Sequence, residues 1–148
     1  GQGQIQHSTT HQGHSIGVAA ALAVQKIIHR DDFLSSVVQK GKFLRNTLKG
    51  ELGEHPFFYN VRGRGLRNSI EYKCDDQHLF GNALMQVMKE RHKILISGKW
   101  HRVCFSPALT ITMHELEEVL DSFIETFKTV SSKWTEDYKS KIQIKPIF

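Results

Sequence analysis

The chain has 148 residues, of which 39% are hydrophobic and 24% are charged, and its formal net charge is +5 at pH 7. This balance is typical of a globular domain, and no run of about 18 apolar residues indicates a membrane span. Lysine and arginine are scattered along the chain, so no nucleic-acid partner is predicted, although a small basic nucleic-acid binder is kept as a third alternative.

The start of the chain and its cysteines give little evidence of a compartment. Gly1 to Gln4 lack the charged and apolar regions of a signal peptide, and the absence of a first Met is typical of a segment of a longer protein. Cys74 and Cys104 form no C-x-x-C pair, so neither a zinc site nor a disulfide framework is predicted. Cytoplasmic and mitochondrial locations are both compatible with this sequence.

Two helices are predicted in the first third of the chain. Gly17 to Ile28 is rich in alanine, and its small side chains allow close packing against other backbone. A second helix is expected to follow Asp31 or Asp32, either of which is a suitable N-cap, and to end at Pro56 at the latest. Its apolar positions recur at three- or four-residue steps, namely Val37, Gly41, Leu44, Leu48 and Leu52.

The middle of the chain predicts short strands and a third helix. Strands are expected over Phe57 to Val61 and Leu66 to Tyr72, with the turn Arg62-Gly63-Arg64-Gly65 between them. Two further strands, Ile94 to Ile96 and Arg102 to Phe105, are expected around a glycine turn. The helix between the two strand pairs has the apolar positions Phe80, Ala83, Leu84, Val87 and Met88.

The last predicted helix has the clearest pattern. Thr112 and Glu115 form a capping box at its start. A continuous apolar stripe follows, made of Leu116, Val119, Leu120, Phe123, Ile124, Phe127 and Val130. From Ser131 the sequence becomes a polar tail with a basic end. The order of elements predicts an α+β fold, with helices packed on one face of a small, mainly antiparallel sheet.

Hydroxyl groups and histidines precede the Ala-rich helix. Thr9 and Thr10 lie where free amides and the positive end of a helix dipole suit an anion. N-capping by Ser15 is the competing interpretation, and residue types alone favour it. The histidines at positions 7, 11 and 14 are compatible with a metal site, but no second ligand cluster accompanies them and no metal is predicted.

Two other stretches contain arginines. In Arg62-Gly63-Arg64-Gly65-Leu66 the glycines favour a tight structural turn, whereas the planar guanidinium groups suit carboxylate recognition. Further along, strand alternation predicts that Arg102 and Cys104 share one face. Val103 and Phe105 then lie on the other face. Arg102 is expected to face either a site or solvent, and alternation alone does not choose between them.

Taken in order, these stretches resemble the C-terminal half of the class III (ornithine/omega-amino-acid type) aminotransferases from about His7 to Val130. Thr10 to Ala23 resembles the family's Thr-aromatic-x-Gly-His/Asn-Pro segment and the Ala-rich helix after it. Val61 to Glu71 resembles its Arg-Gly-x-Gly-Leu turn and the following strand. Arg102 to Leu116 is similar to the strand, Pro-Pro-Leu and final helix that close the family's small domain.

The resemblance implies part of a homodimeric, pyridoxal-phosphate (PLP) dependent transferase of fold type I, which moves an amino group between an amine or amino acid and an oxo acid. In the family, the threonine that matches Thr10 hydrogen-bonds the cofactor phosphate of the neighbouring subunit, and we group Thr9 with it as cofactor-binding. An arginine before Pro-Pro-Leu commonly contacts the substrate carboxylate or its partner glutamate. Here Cys104 occupies that position, so Arg102 is the candidate substrate-binding residue. Neither a membrane nor a nucleic acid is an expected partner.

The resemblance also implies three parts of the chain. Residues 1–30 are expected to end the large cofactor domain and to form its connecting helix, 31–130 to form the small C-terminal α+β domain, and 131–148 to form a polar basic tail. The family's Schiff-base lysine precedes the matched threonine segment and therefore falls before Gly1. No residue of this chain is predicted to be catalytic, and the segment alone is expected to be inactive.

Several departures from the family's pattern leave two main hypotheses. Ser15 stands where the family usually has proline, Ala108 replaces the second proline, and Arg67-Asn68 occupies a normally apolar position. The first hypothesis is a segment of an active aminotransferase, which Thr10 and the glycine turn favour. The second is a degenerate aminotransferase-like domain that acts as a structural or interaction module, which Cys104, Arg67 and the basic tail favour.

Overall fold

The computed structural model describes residues 10–142, which form two compact units, 10–36 and 37–142. The first unit holds α1 (Ser15–Ile28) and the first turn of α2 (Phe33–Leu52). The second holds the rest of α2 and, in chain order, β1 (Phe58–Arg64), β2 (Arg67–Tyr72), α3 (Gln77–Arg91), β3 (Ser97–Lys99), β4 (Arg102–Phe105), α4 (Met113–Ser132) and α5 (Glu136–Lys141). Among residues 10–142, no helix is both long and apolar enough to cross a membrane.

Helix α1 begins at a histidine cap. The Nδ1 atom of His14 accepts a hydrogen bond from the Gly17 amide at 3.2 Å. N-capping by Ser15 is therefore wrong, because Ser15 is already the first helical residue and the imidazole nitrogen reaches the amide three residues ahead of its own backbone. None of the 14 residues of α1 is buried.

Helix α2 follows the predicted pattern. The Asp32 carbonyl accepts the first helical hydrogen bond, from the Ser36 amide at 3.0 Å, which puts Asp32 at the predicted capping position. All of its predicted apolar positions within the second unit are buried, namely Val37, Gly41, Leu44, Leu48 and Leu52. Gly41 is buried because the hairpin turn lies against it: a Cβ atom there would overlap the Gly65 carbonyl.

The sheet has the order β1-β2-β4-β3, and every neighbouring pair is antiparallel. This confirms the predicted small antiparallel sheet. Strand β1 continues through Arg64, which pairs with Arg67, so the turn is two residues long and consists of Gly65 and Leu66. Gly65 has a φ of +53°, a conformation that short hairpin turns need and that glycine adopts without a steric penalty.

The strand predicted over Ile94 to Ile96 is wrong, and β3 lies three residues later. The Ile94 amide donates to the Met88 carbonyl of α3 at 3.0 Å, so this apolar stretch continues from the helix end instead of pairing with a strand. Lys93 has a φ of +60°, the left-handed conformation that commonly ends a helix. The local bond to the helix end has therefore overridden the strand propensity of the isoleucines.

The core of the second unit lies between the sheet and the helices. Val61, Ile70 and Val103 are in register across β1, β2 and β4, and all three are buried. The predicted capping box of α4 is present in both directions between Thr112 and Glu115. Every position of its predicted apolar stripe is buried except Val119, which is half-buried. The helical layer thus covers one face of the sheet.

The start of the predicted polar tail is folded. Helix α4 extends to Ser132, and the Trp134 ring then packs edge-on against Phe80 with centroids 5.0 Å apart. The Trp134 Nε1 group donates to Asp75 Oδ1 at 2.8 Å, and Lys139 of α5 forms an ion pair with the same carboxylate. These contacts attach α5 to the segment before α3. One tryptophan in a polar stretch produces no periodic pattern, so the sequence did not predict them.

Candidate functional site

The outer face of the sheet carries the polar residues that β-strand alternation predicts. Val103 and Phe105 of β4 are buried among the helices, whereas Arg102 and Cys104 are half-buried on the opposite face. The predicted alternation is therefore confirmed. In the neighbouring strand, Ser69 lies opposite Cys104, and the Ser69 Oγ and Cys104 Sγ atoms are 3.3 Å apart.

An open cavity of about 580 Å³ occupies this face. Its lining combines two arginines, three serines and one cysteine with a small apolar edge. The residues are Leu66, Arg67, Ser69, Ser97, Arg102, Cys104, Ser106, Pro107 and Leu109. Arg102 lies in the lining of this cavity, which is open to solvent. The hydroxyl and guanidinium groups supply hydrogen-bond donors, a composition that suits an anionic ligand.

A carboxylate at the edge of this face already has its partner. Glu71 is buried, and its Oε1 atom accepts from Arg62 Nε at 2.7 Å and lies 2.7 Å from Arg62 Nη2. The two-nitrogen contact satisfies the buried charge. Arg62 is therefore a residue of β1 that is used within the sheet, and the predicted turn over Arg62 to Gly65 is wrong at this arginine because the strand continues through it. Arg64, two residues on, is exposed.

The hairpin end of the cavity is held by a buried polar group. Asn68 is 1% exposed, and its Oδ1 atom accepts from Arg45 Nη1 of α2 at 2.9 Å. Its Nδ2 group donates to the Gly65 carbonyl at 2.9 Å. The family usually has an apolar residue at this position, but both polar groups of the Asn68 side chain form hydrogen bonds within the fold. It fixes the turn that precedes Arg67.

The opposite end of the cavity is held from inside the core. The Tyr72 hydroxyl donates to the Trp100 carbonyl at 3.0 Å, and the Tyr72 amide donates to the His101 carbonyl at 3.0 Å. Burial raises the pKa of Tyr72, so its hydroxyl remains a donor at all ordinary pH values. The turn that precedes Arg102 is thereby attached to β2.

The threonine segment lies in the other unit. Thr10 is exposed and opens a turn that runs through Gly13 to the start of α1, where the His14 amide donates to the His11 carbonyl at 3.1 Å. Thr9 and His7 lie outside the described residues. Within 10–142, no group of three histidine, cysteine or acidic side chains is arranged to hold a metal ion. The His14 ring instead caps α1.

Sequence reasoning named Arg102 but did not name Ser69, Ser97 or Ser106 as part of the site. The signal for Ser69 was available, because alternation from Arg67 places it and Glu71 on one face of β2. Ser97 was hidden by the wrong boundary of β3. Ser106 follows the end of β4, and no local pattern indicates where its side chain points.

Comparison with known families gives one match that covers most of the chain. Residues 2–127 match the family model described as "Aminotransferase class-III". Among curated relatives, an "Aminotransferase" of Gibberella zeae is 42% identical over 77 residues, which are 52% of this chain and 15% of that protein. An L-lysine-epsilon aminotransferase of Amycolatopsis lactamdurans is 33% identical over 117 residues, 78% of this chain and 25% of that protein.

Solved structures agree with the family match. An ornithine aminotransferase from Toxoplasma gondii is similar with a TM-score of 0.75 and 26% identity, over 88% of this chain and 31% of that one. A transaminase from directed evolution by ancestral reconstruction has a TM-score of 0.77 and 26% identity, over 90% of this chain and 31% of that one. The chain therefore spans less than a third of the length of these relatives.

Proposed function

The chain belongs to the class III aminotransferases, and we propose that it is the C-terminal segment of a PLP-dependent enzyme that transfers an amino group between an amine or amino acid and an oxo acid. The observation that carries the proposal is the cavity on the outer face of the sheet, where Arg102 is half-buried and makes no ion pair with any of residues 10–142. A guanidinium in that setting suits the carboxylate that amino acids and oxo acids share.

Thr10 fits one contact with PLP. Its exposed side chain offers a hydroxyl donor, and the turn that it opens leads directly into the N-terminus of α1, where the helix dipole favours a phosphate. Thr9 is proposed to join it. When bound, PLP supplies the electron sink for moving an amino group. The only contact with PLP that we propose for this chain is the hydrogen bond to its phosphate. We propose that Thr10 contacts the cofactor of a second subunit, which makes the complete enzyme a homodimer.

Arg102 is proposed to orient the substrate. A two-pronged contact with the substrate carboxylate fixes the direction in which the reacting carbon lies, and the neighbouring Ser69 and Cys104 leave room because neither has a long side chain. This arrangement answers one argument for the degenerate-domain alternative. Cys104 in place of an arginine does not remove positive charge from the face, since Arg102 lies two residues earlier on the same side of β4.

Cofactor retention in the complete protein tests the role of Thr10. We expect Thr10→Ala to weaken PLP binding by about 1 to 3 kcal/mol, the cost of losing a hydrogen bond to a charged group. Thr10→Ser keeps the hydroxyl and serves as the matched control, with a smaller loss. Equilibrium dialysis against PLP measures both. An unchanged dissociation constant in Thr10→Ala contradicts the phosphate contact and leaves the segment as a turn before α1.

A further inference from the structure

We propose that Tyr72 is a positioning residue for Arg102, and that it acts by holding the backbone of Trp100 in a conformation that tryptophan disfavours. This assignment rests on the proposed function, in which Arg102 binds the substrate carboxylate. Tyr72 is buried and does not line the cavity. It therefore acts on Arg102 only through the turn between β3 and β4.

The two hairpins of the sheet need the same backbone conformation at the same position, but only one of them has glycine there. Each turn has two residues, because strand pairing resumes directly on both sides of it. The first turn residue is Gly65 in one hairpin, with a φ of +53°, and Trp100 in the other, with a φ of +57°. Glycine adopts this left-handed conformation without a steric penalty, whereas the Cβ atom of tryptophan makes it unfavourable. The turn before Arg102 therefore persists because its surroundings hold it.

The support for this turn comes from the core and not from the exposed side of the hairpin. The Trp100 side chain is 66% exposed. Its carbonyl accepts from the Tyr72 hydroxyl at 3.0 Å, and the carbonyl of the next turn residue, His101, accepts from the Tyr72 amide at 3.0 Å. Both residues of the turn are thus bonded to a single residue of β2.

The position of the Tyr72 hydroxyl is itself fixed. The Tyr72 ring packs edge-on against Phe80 with centroids 5.1 Å apart, and the residue is 2% exposed. Gly81 of α3 leaves the space that the hydroxyl occupies, since a Cβ atom at Gly81 would overlap it. The hydroxyl therefore has little freedom to move away from the Trp100 carbonyl.

The turn controls where Arg102 begins. Arg102 is the first residue of β4, and it pairs with Lys99 of β3 and with Glu71 of β2. When the turn relaxes, these pairs at the end of the strand loosen first, and the guanidinium loses its fixed attachment. A binding group that is fixed in advance loses less conformational entropy when the ligand arrives. Loss of the Tyr72 hydroxyl should therefore weaken carboxylate binding without removing any group from the cavity.

Calorimetry with two unreactive probes measures carboxylate binding in the complete, PLP-loaded protein. Pentanoate carries a carboxylate, and pentanamide has the same carbon chain without the charge. We expect the wild type to bind pentanoate about tenfold or more tightly, because a charge-assisted contact is involved. Tyr72→Phe removes only the hydroxyl and should lower that ratio by about threefold or more, the effect of one hydrogen bond. Gly81→Ala displaces the same hydroxyl and should lower the ratio similarly.

Trp100→Gly distinguishes positioning from a general loss of structure. Glycine adopts the left-handed conformation without support, so Tyr72→Phe should leave the ratio unchanged when it is combined with Trp100→Gly. A general structural loss would persist in that combination. Gly50→Ala is the matched control for Gly81→Ala. Nothing lies within 4 Å of the Cβ position of Gly50, so its ratio should equal that of the wild type.

The outcomes separate this assignment from the proposed function. A ratio that Tyr72→Phe leaves unchanged overturns the role of Tyr72, and so does a ratio that Tyr72→Phe lowers equally in the Trp100→Gly background. Arg102→Gln, measured with the same probes, should bring the ratio nearly to one. If the wild type does not distinguish pentanoate from pentanamide, the proposed carboxylate site is wrong and the role of Tyr72 is lost with it.

Discussion

Gly41 shows how a single missing side chain positions the hairpin beside the cavity. It lies within α2, where alanine is the better helix former, yet its Cβ position is occupied by the backbone of Gly65. Gly50, in the same helix, has nothing within 4 Å of its Cβ position. Substitutions at these two glycines therefore distinguish the effect of helix propensity on stability from the effect of close packing.

Alanine at these two positions should have opposite effects on stability. We expect Gly41→Ala to destabilise the fold by about 1 to 3 kcal/mol, because α2 and the hairpin must move apart. Gly50→Ala should stabilise it by about 0.5 to 1 kcal/mol, since it restricts the unfolded chain without a clash. Urea unfolding of both variants measures the two free energies. Stabilisation by both substitutions is incompatible with the tight contact between α2 and Gly65.

His55 links the ends of α2 and α4 and makes stability depend on pH. Its Nδ1 atom accepts from the Phe57 amide at 3.1 Å, so its Nε2 group is the donor to Ser131 Oγ at 3.0 Å. Burial, followed by the positive charge of Lys128, lowers the pKa of His55 below 6.5. The unfolded chain therefore binds this proton more readily than the folded one. The contribution of His55 is complete above pH 6.5 and is lost as the pH falls through its folded pKa.

Unfolding free energies measured between pH 7.5 and pH 5.5 test this linkage. The wild type should lose more stability than His55→Gln over that interval, because the variant has no titrating group at this position. Lys128→Gln removes one of the two causes and should raise the pKa of His55, which NMR titration of the ring protons reads directly. Identical pH dependence in the wild type and His55→Gln refutes the prediction.

At the scale of elements, the sequence predicted the features that depend on the local spacing of apolar and polar residues. The buried positions of α2 and the capping box of α4 follow from local spacing, and β4 follows from alternation. The boundary of β3 did not, because the Met88 carbonyl near the end of α3 accepts the Ile94 amide, and a run of apolar residues does not indicate that bond. The Tyr72 bond to Trp100 and the Asn68 bond to Arg45 join residues more than 20 positions apart. Spacing within the sequence carries no information about such pairs, so the ends of the cavity could not be predicted.

Helix α5 depends on Trp134 for its attachment. The indole packs against Phe80 and donates to Asp75, whose carboxylate also binds Lys139 of α5. We expect Trp134→Ala to release α5 while the sheet and α4 stay folded. Hydrogen exchange should show faster exchange of the amides in residues 136–141 by about tenfold or more, which corresponds to about 1.4 kcal/mol of lost local stability.

Trp134→Phe is the control for this experiment. It keeps an aromatic ring against Phe80 but removes the donor to Asp75, so its exchange should lie between the wild type and Trp134→Ala. The two variants separate ring packing from the hydrogen bond. Exchange in α5 that is unchanged in Trp134→Ala shows that Lys139 and its ion pairs hold the helix without the indole.

For the whole molecule, the two units differ in how completely they bury their apolar residues. The unit of residues 37–142 has a core between sheet and helices, whereas α1 has no buried residue. Ile16 is 73% exposed and Leu22 is 58% exposed. A helix with this many exposed apolar side chains is typical of one that packs against another surface in the complete protein. The chain spans less than a third of its relatives' length. We propose that α1 packs against the part of the complete protein that corresponds to the relatives' remaining residues.

We expect the 148-residue chain on its own to be inactive and to self-associate. The resemblance to the family implies that the lysine that binds PLP covalently precedes the Thr10 segment, and we propose only a phosphate contact for Thr10. Borohydride reduction after mixing with PLP should label no single lysine stoichiometrically, and no amine donor should turn over. One fully labelled lysine with turnover would mean that the catalytic lysine lies within these residues.

Sedimentation of the isolated chain should show association that rises with concentration. Leu22→Ser should weaken it because the side chain lies on α1, while Leu95→Ser, at a more exposed leucine (77% against 58%) in the other unit, should not. Equal effects of the two serine variants would mean that association does not occur through α1.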